Sequence, residues 1–152
     1  MGIFDALNIS ASALSAERQR SEVAATNLAN VDTTHRTDGA GPFRRKEVVL
    51  TSSGGVRFRG MLSANSLTAT NGRNEPGSVR LTRVVEDSTP PVRRYEPGHP
   101  DADKDGYVAY PAINPVQEMV DLMGSVRAYQ LNASAVNASK QLIQQSIDLL
   151  KS

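Results

Sequence analysis

The fold of this chain is decided by residues 119–150, which read MVDLMGSVRAYQLNASAVNASKQLIQQSIDLL. Two series of positions recur there every seven residues, offset from each other by three. All of these positions except Lys140 are apolar: Met119, Val126, Ala133, Lys140 and Ile147 form one series, and Leu122, Tyr129, Val136, Ile143 and Leu150 form the other. The spacing predicts a long α-helix with an apolar seam at the a and d positions of a heptad.

The start of this helix is also marked in the sequence. Asn114 is a favourable N-cap, Pro115 suits the first helical position, and Gln117 lies at the capping-box position. A helix over 115–151 would be about 55 Å long, at about 1.5 Å per residue. A compact domain of this size is only about 40 Å across. The helix therefore requires a partner helix along much of its length.

Residues 2–31 are the internal candidate for that partner, because they are rich in Ala, Ser and Leu and contain no proline. Their apolar positions form a stripe interrupted by a polar stretch at 17–22: Phe4, Leu7, Ala11, Leu14, Ala24, Leu28 and Val31. We expect Leu7, Leu14 and Leu28 to pack against the seam of the second helix.

The middle of the chain differs in composition. Residues 32–114 hold seven of the eight prolines and nine of the eleven glycines, which disfavours long helices there. Strand patterns occur at 46–50, 56–62, 78–86 and 106–110, the first two separated by a hairpin-like turn at 51–55. The sequence predicts an α+β fold, with terminal helices paired like a coiled coil around a small β-rich region. The expected divisions are residues 1–32, 33–113 and 114–152.

Charge is scarce along the second helix. Between residues 119 and 147 the charged residues are Asp121, Arg127 and Lys140. Several positions away from the seam are small or apolar: Val120, Ala128, Leu131, Ala135, Ala138 and Leu142. This pattern is typical of a helix that is contacted on several sides. An intramolecular hairpin with an apolar back is the alternative, and a bundle formed between molecules accounts better for the pattern.

Whole-chain composition limits the function. The formal net charge is +1, so overall electrostatics single out neither nucleic acid nor a membrane. The chain has no cysteine, which excludes disulfides, thiolate catalysis and cysteine-ligated zinc. No apolar run approaches the roughly 20 residues of a transmembrane helix. Residues 1–16 contain Asp5 and no basic residue, unlike a signal peptide. Any export is expected to occur without a cleaved signal.

The most specific chemical motif lies at residues 101–106, DADKDG. Asp101, Asp103 and Asp105 alternate and are followed by Gly106, as in the first half of an EF-hand calcium loop. The twelfth position, however, is Ala112 instead of the bidentate glutamate, and prolines at 100 and 111 disfavour flanking helices. A calcium-binding module is therefore the alternative function, and a solvated turn the simpler interpretation.

Catalysis and nucleic-acid binding have weaker support. His35 and His99 lie in loop-like sequence without recognisable partners, and neither a nucleophile elbow nor a phosphate loop is present. Residues 36–94 hold eleven Arg or Lys against five Asp or Glu. Their alternation with apolar residues predicts strands with a basic, solvated face. We expect no enzymatic activity, no cofactor and no bound metal.

Several stretches resemble the bacterial flagellar axial proteins of rod and hook. Residues 24–33, AATNLANVDT, are similar to the N-terminal signature of that family. The resemblance narrows to the proximal rod subunits at four further stretches: YEPGHPDAD at 95–103, GYVAYP at 106–111, EMVDLM at 118–123 and RAYQLN at 127–132.

This resemblance implies a structural subunit of the basal-body proximal rod, whose terminal helices form the inner layer of a hollow, torque-transmitting tube across the periplasm. It implies export through the flagellar type III apparatus. The implied partners are copies of the chain, the rod subunits FlgB, FlgF and FlgG, FliE, and the MS-ring protein FliF. Nucleic acid is not among them, and the chain is not expected to span a membrane.

The expected assembly interface lies on the two terminal helices. On the first helix it comprises Phe4, Leu7, Leu14, Asn27, Leu28 and Asn30. On the second it comprises Met119, Leu122, Val126, Tyr129, Val136, Ile143, Ile147 and Leu150. Asn27 and Asn30 are also expected to shape the exit of the first helix, because asparagine readily caps or turns a chain.

Overall fold

The computed structural model describes residues 3–36, 41–53 and 78–151. Two long helices enclose four short strands in this part of the chain. In order, the elements are α1 (Ile3–Ala29), β1 (Lys46–Ser53), β2 (Ser78–Glu86), β3 (Val92–Tyr95), β4 (Tyr107–Tyr110) and α2 (Pro115–Lys151). This arrangement confirms the predicted α+β class, with terminal helices and a small central β region.

The bounds of α2 match the prediction, and its capping explains why. The side-chain Oδ1 of Asn114 accepts a hydrogen bond from the backbone N–H of Val116 at 3.0 Å. The backbone carbonyl of Asn114 accepts the first helical bond, from the N–H of Glu118 at 3.1 Å. Pro115 takes the first helical position, where its missing N–H costs nothing. Asn114 therefore fixes the point at which the chain enters the helix.

The two helices pack side by side in antiparallel directions. The hydroxyl oxygens of Ser21 and Ser125 are 2.8 Å apart. Farther along α1, Asn27 hydrogen-bonds to Glu118, which lies nearer the start of α2. Ala16 and Ala24 are buried on α1. Small side chains at these positions allow the two backbones to approach closely.

The seam of α2 is rotated from its predicted orientation. Leu122, Val136 and Ile143 are half-buried, as expected for a face covered by α1. Met119 and Val126, from the other series, are 51% and 43% exposed. The expectation that α1 packs against the seam is therefore wrong for Met119, Val126 and Ile147 of one series and for Tyr129 of the other, which are all exposed.

The face turned inward instead carries a second, polar series that also recurs every seven residues. Glu118 and Ser125 are buried, and Asn132 and Ser139 are half-buried. Each precedes a member of the Met119 series by one residue. The inward face is thus formed by this polar series and the Leu122 series, and the seam is turned by about 50° around the helix. The rotation occurs because Glu118 and Ser125 have hydrogen-bond partners on α1.

The first sheet pairs β1 with β2 in antiparallel fashion, from Lys46 opposite Glu86 to Ser53 opposite Ser78, with an irregularity between Val49 and Leu50. The bounds of β2 match the predicted strand. β1 continues to Ser53, through part of the predicted 51–55 turn. The predicted strand at 56–62 lies outside the described residues.

The second sheet is a hairpin of β3 and β4, with Val92 opposite Tyr110 and Tyr95 opposite Tyr107. β4 lies within the predicted 106–110 strand. β3 has no counterpart among the predicted strands, because its four residues are all exposed and show no alternation of polarity. The side chain of Val108 is fully buried in β4, so the hairpin has a small apolar centre of its own.

The turn before β4 requires glycine. Gly106 has a φ of +79°, and a Cβ atom at this position would lie 2.9 Å from the Cε2 atom of Tyr95. Both the backbone angle and the ring contact disfavour any larger residue.

We expect Gly106→Ala to lower the free energy of unfolding by about 1–3 kcal/mol, because alanine is strained at positive φ and meets the Tyr95 ring. Urea denaturation would measure the change. Gly98→Ala is the matched control, since a Cβ there has no atom within 4 Å. Equal stability of the two variants would contradict the assigned strain.

Candidate functional site

The side chain of Asn27 is buried near the end of α1, with 1% of its surface exposed. Its Oδ1 accepts a hydrogen bond from the backbone N–H of Lys46 at 2.8 Å. Its Nδ2 donates to the carbonyl of Lys46 at 2.9 Å and to Oε2 of Glu118 at 3.0 Å. The amide thus binds both backbone groups of the first residue of β1 and reaches α2. One side chain connects three elements.

Glu118 supplies a buried carboxylate on the first turns of α2, with 2% of its side chain exposed. Its Oε1 accepts a hydrogen bond from Nε of Arg45 at 2.6 Å, while Oε2 accepts from Asn27. Arg45 also forms an ion pair with Glu47 and lies 3.8 Å from Asp121. A buried carboxylate is tolerated because cation and amide satisfy both oxygens.

The electrostatics of Arg45 follow from this arrangement. Burial acts to lower the pKa of the guanidinium, but the hydrogen bond and negative charge of Glu118, together with the charges of Glu47 and Asp121, outweigh it. The net effect raises the pKa of Arg45 above its ordinary value. We call Asn27, Arg45 and Glu118 the polar cluster. It joins α1, α2 and the segment entering β1.

Asn27 and Asn30 have different roles at the end of α1. Asn30 donates from Nδ2 to the carbonyl of Thr26 at 2.8 Å, and its Oδ1 accepts from the hydroxyl of Thr33 at 3.2 Å. Asn30 therefore stabilises the exit turn, as expected. Asn27, expected to do the same, is directed into the chain and holds β1 and α2.

The remaining expected interface residues fall into two groups. Those facing the other helix or the chain interior are half-buried: Leu7, Leu14, Leu28, Leu122, Val136 and Ile143. Those left exposed are Met119, Val126, Tyr129 and Ile147. Phe4 and Leu150 lie in the end turns of α1 and α2, and their side chains are outside the described part of the structure.

An open groove runs beside the helix pair where the exposed group meets α1. Its volume is about 430 Å³, and it is lined by Arg18, Ser21, Glu22, Val126 and Tyr129. The two α2 residues supply its apolar side, while the α1 residues supply a polar rim. The groove offers space for an apolar side chain from outside the molecule.

A further apolar face of α2 lies opposite α1. Its large side chains recur at helical spacing and are all more than half exposed: Val116, Val120, Met123, Leu131 and Leu142. Arg127 interrupts this row. Exposed apolar area of this kind indicates an interaction surface. The helix thus has one face covered by α1 and another whose large apolar side chains are exposed.

The aspartates of the calcium-like motif have different partners. Oδ1 of Asp103 accepts hydrogen bonds from the backbone N–H groups of Asp105 and Tyr107, each at 2.9 Å. Asp103 also pairs with Arg93 at 2.5 Å, and Asp101 accepts a bond from the hydroxyl of Thr34 at 2.6 Å. The Tyr107 N–H is the main cause of the lowered pKa of Asp103. Two of the three carboxylates are therefore engaged in holding the loop.

In the described part of the chain, the histidines and basic residues considered from the sequence form no catalytic or metal-binding group. Within the described ranges, no three His, Asp or Glu residues are grouped to hold a metal. His35 is exposed, while Nδ1 of His99 accepts the Asp101 N–H at 3.1 Å. Of the basic residues, Arg93 and Arg94 lie over the rings of Tyr107 and Tyr110. In the described segments no helix is long and apolar enough to cross a bilayer.

Comparison with known proteins places these features in one family. Residues 7–35 match the family model for flagella basal body rod protein, and residues 104–149 match that for the C-terminal region of the flagellar basal body rod FlgEFG proteins. The flagellar basal-body rod protein FlgC of Bacillus subtilis is 39% identical over 99% of this chain and 100% of its own length. This chain belongs to the FlgC family.

Other FlgC proteins are similar to this chain over almost the whole of both sequences. The protein of Borreliella burgdorferi is 34% identical over 99% of both chains, and that of Escherichia coli O6:H1 is 36% identical over 98% of both. The chain is a structural subunit of the flagellar basal-body rod and functions in motility. The two matched segments include most of α1 and most of α2, the helices on which the predicted interface lies.

The sequence patterns do not identify two members of the polar cluster as functional residues. Glu118 lies in the stretch 118–123, which resembles the flagellar axial family, and Arg45 lies in the basic segment 36–94. The available signal was the polar series Glu118, Ser125, Asn132 and Ser139, which has the same seven-residue period as the apolar seam. The seven-residue period of this series identifies one face of α2. No pattern in the sequence around Arg45 identifies it as the partner of Glu118.

We expect Arg45→Met to lower the free energy of unfolding by about 3 kcal/mol, since it leaves the Glu118 carboxylate buried beside only the Asn27 amide. Arg44→Met is the matched control, because Arg44 is the exposed neighbouring arginine and should change stability by less than about 0.5 kcal/mol. Urea denaturation of both variants measures the difference. Similar values for the two would contradict a stabilising role for the cluster.

Proposed function

We propose that this chain is a non-enzymatic subunit of the proximal rod, which assembles through its terminal helices into the tube that transmits torque. The observation that carries the proposal is the unequal covering of α2. One of its faces packs on α1, while apolar residues on its other faces are exposed in the single chain. Neighbouring helices in a rod would remove that surface from water.

Length supports the same proposal. α2 has 37 residues and α1 has 27. Because the helices are antiparallel and the polar cluster sits near the start of α2, its C-terminal turns extend beyond α1. Residues 144–149 are all exposed, including Ile147 and Leu149. An exposed apolar helix end of this kind suits contact with another subunit.

The interface would use both helices. On α2 the exposed members are Met119, Val126, Tyr129 and Ile147, and the Val126–Tyr129 groove would receive a neighbouring side chain. The other apolar members would support the helix pair or complete the surface at its ends: Phe4, Leu7, Leu14, Leu28, Leu122, Val136, Ile143 and Leu150. Asn30 would hold the exit turn, and Asn27 would act from inside the chain.

The proposed organisation follows three segments: an N-terminal axial helix at 1–32, a central β and loop region at 33–113, and a C-terminal axial helix at 114–152. The proposed neighbours are copies of this chain, the rod subunits FlgB, FlgF and FlgG, FliE, and the MS-ring protein FliF. The rod would cross the periplasm. Delivery would be through the flagellar type III export apparatus, without cleavage of a signal peptide.

We expect the double variant Met119→Asp/Val126→Asp to abolish swimming and to be absent from purified basal bodies. Both side chains are about half exposed, so hydrated aspartates should be accepted by the single chain but excluded from an apolar contact between subunits. Motility in soft agar and immunoblots of basal bodies measure the effect.

The matched control is Gln117→Asp/Gln130→Asp, which adds the same charge at exposed polar positions on α2 and should remain motile. Circular dichroism of both purified double variants should match that of the parent chain. Normal swimming of the Met119/Val126 variant would contradict the proposed interface.

A further inference from the structure

We infer that Glu118 is a positioning residue that sets the register between α1 and α2. Acting with Asn27 and Arg45, it would determine which part of α2 extends beyond α1. Only the consequence for assembly rests on the proposed function. The register itself is a property of the single chain.

The rest of the helix interface specifies register weakly. On α1, Ala16, Ala24 and Ser21 provide small surfaces. On α2, the inward polar series continues with Ser125, Asn132 and Ser139. A slip of seven residues, about 10 Å along the axis, would exchange one small polar residue for another. The Leu122 series has the same seven-residue period, so the slip would again place an apolar residue of this series opposite α1.

The polar cluster distinguishes the native register from the slipped one. Asn27 is tied to β1 through both backbone groups of Lys46, and Arg45 immediately precedes that residue. The cation and the amide therefore form one fixed unit opposite α2. After a slip of seven residues this unit would face Ser125 or a residue outside α2, and Glu118 would lose both partners. A buried polar group that can be satisfied in one alignment only is an established means of fixing register.

Register controls the length of the exposed helix end. The Asn27–Glu118 and Ser21–Ser125 contacts place the start of α1 opposite about residue 143, given equal rise in both helices. Residues 144–149 extend past that point and are exposed. A slip of seven residues would lengthen or shorten the exposed end of α2 by about two turns, depending on its direction. Every subunit in the native register offers its neighbour the same end.

Cysteine pairs can report the register, because the chain has no cysteine of its own. The pair Ser21→Cys/Ser125→Cys reports the native register, since the two hydroxyl oxygens are 2.8 Å apart. The pair Ser21→Cys/Asn132→Cys reports a slip of one heptad. Each pair is introduced into the full-length chain, and disulfide formation under mild oxidation is followed by mass spectrometry at protein concentrations too low for dimers.

With Glu118 present, the native pair should oxidise at least about a hundredfold faster than the slipped pair. In a Glu118→Leu background the ratio should fall below about tenfold. Asp121→Leu is the matched control, a neighbouring and more exposed carboxylate, and should leave the ratio high. An unchanged ratio in Glu118→Leu would overturn the inference, as would failure of the native pair to oxidise in the parent chain.

If circular dichroism shows that Glu118→Leu does not fold, Glu118→Gln serves as the second variant. Glutamine keeps the size and can accept the Asn27 bond, but it has no charge to pair with Arg45, so the ratio should be intermediate. A ratio equal to that of the parent chain would overturn the inference. These measurements use the purified chain, so they are independent of the presence of the chain in basal bodies, which tests the proposed function.

Discussion

The structure depends on a carboxylate that is buried where three segments meet. Both oxygens of the buried Glu118 carboxylate have a hydrogen-bond donor, one from Arg45 and the other from Asn27. The three residues come from α2, from the segment entering β1, and from α1. Because a buried charge without partners is costly, these segments stabilise one another. The same cluster turns the polar face of α2 inward and so leaves much of its apolar surface outward.

That outward surface connects the fold to the function of a rod subunit. In a protein that acts alone, the Met119 series would be expected to complete the core. Here the small residues Ala16 and Ala24 bring α1 close to a face of α2 that combines the polar Glu118 series with the apolar Leu122 series. The apolar residues that remain exposed are available to neighbours. Under the proposed function, assembly would cover this surface and would add to the stability that folding provides.

Local patterns predicted the outline of the fold. The seven-residue spacing and the Asn114–Pro115 cap gave α2 its correct bounds, and the alternation at 78–86 gave those of β2. Local patterns could not orient α2, because the choice between its apolar and polar series depends on Arg45 and Asn27, which are distant in sequence. They also missed β3, whose exposed residues are ordered by pairing with β4. For the same reason, local patterns could not divide the predicted interface residues between the face covered by α1 and the exposed faces.

The central claim is that the apolar surface exposed on α2 is covered in the rod. A direct measurement is maleimide labelling of a single cysteine, Met119→Cys, in the purified chain and in isolated basal bodies from motile cells. Met119 is 51% exposed in the single chain, so labelling there should be rapid. In basal bodies it should be slower by at least about tenfold, because closely packed helices exclude the reagent. Equal labelling rates in the two samples would contradict the claim.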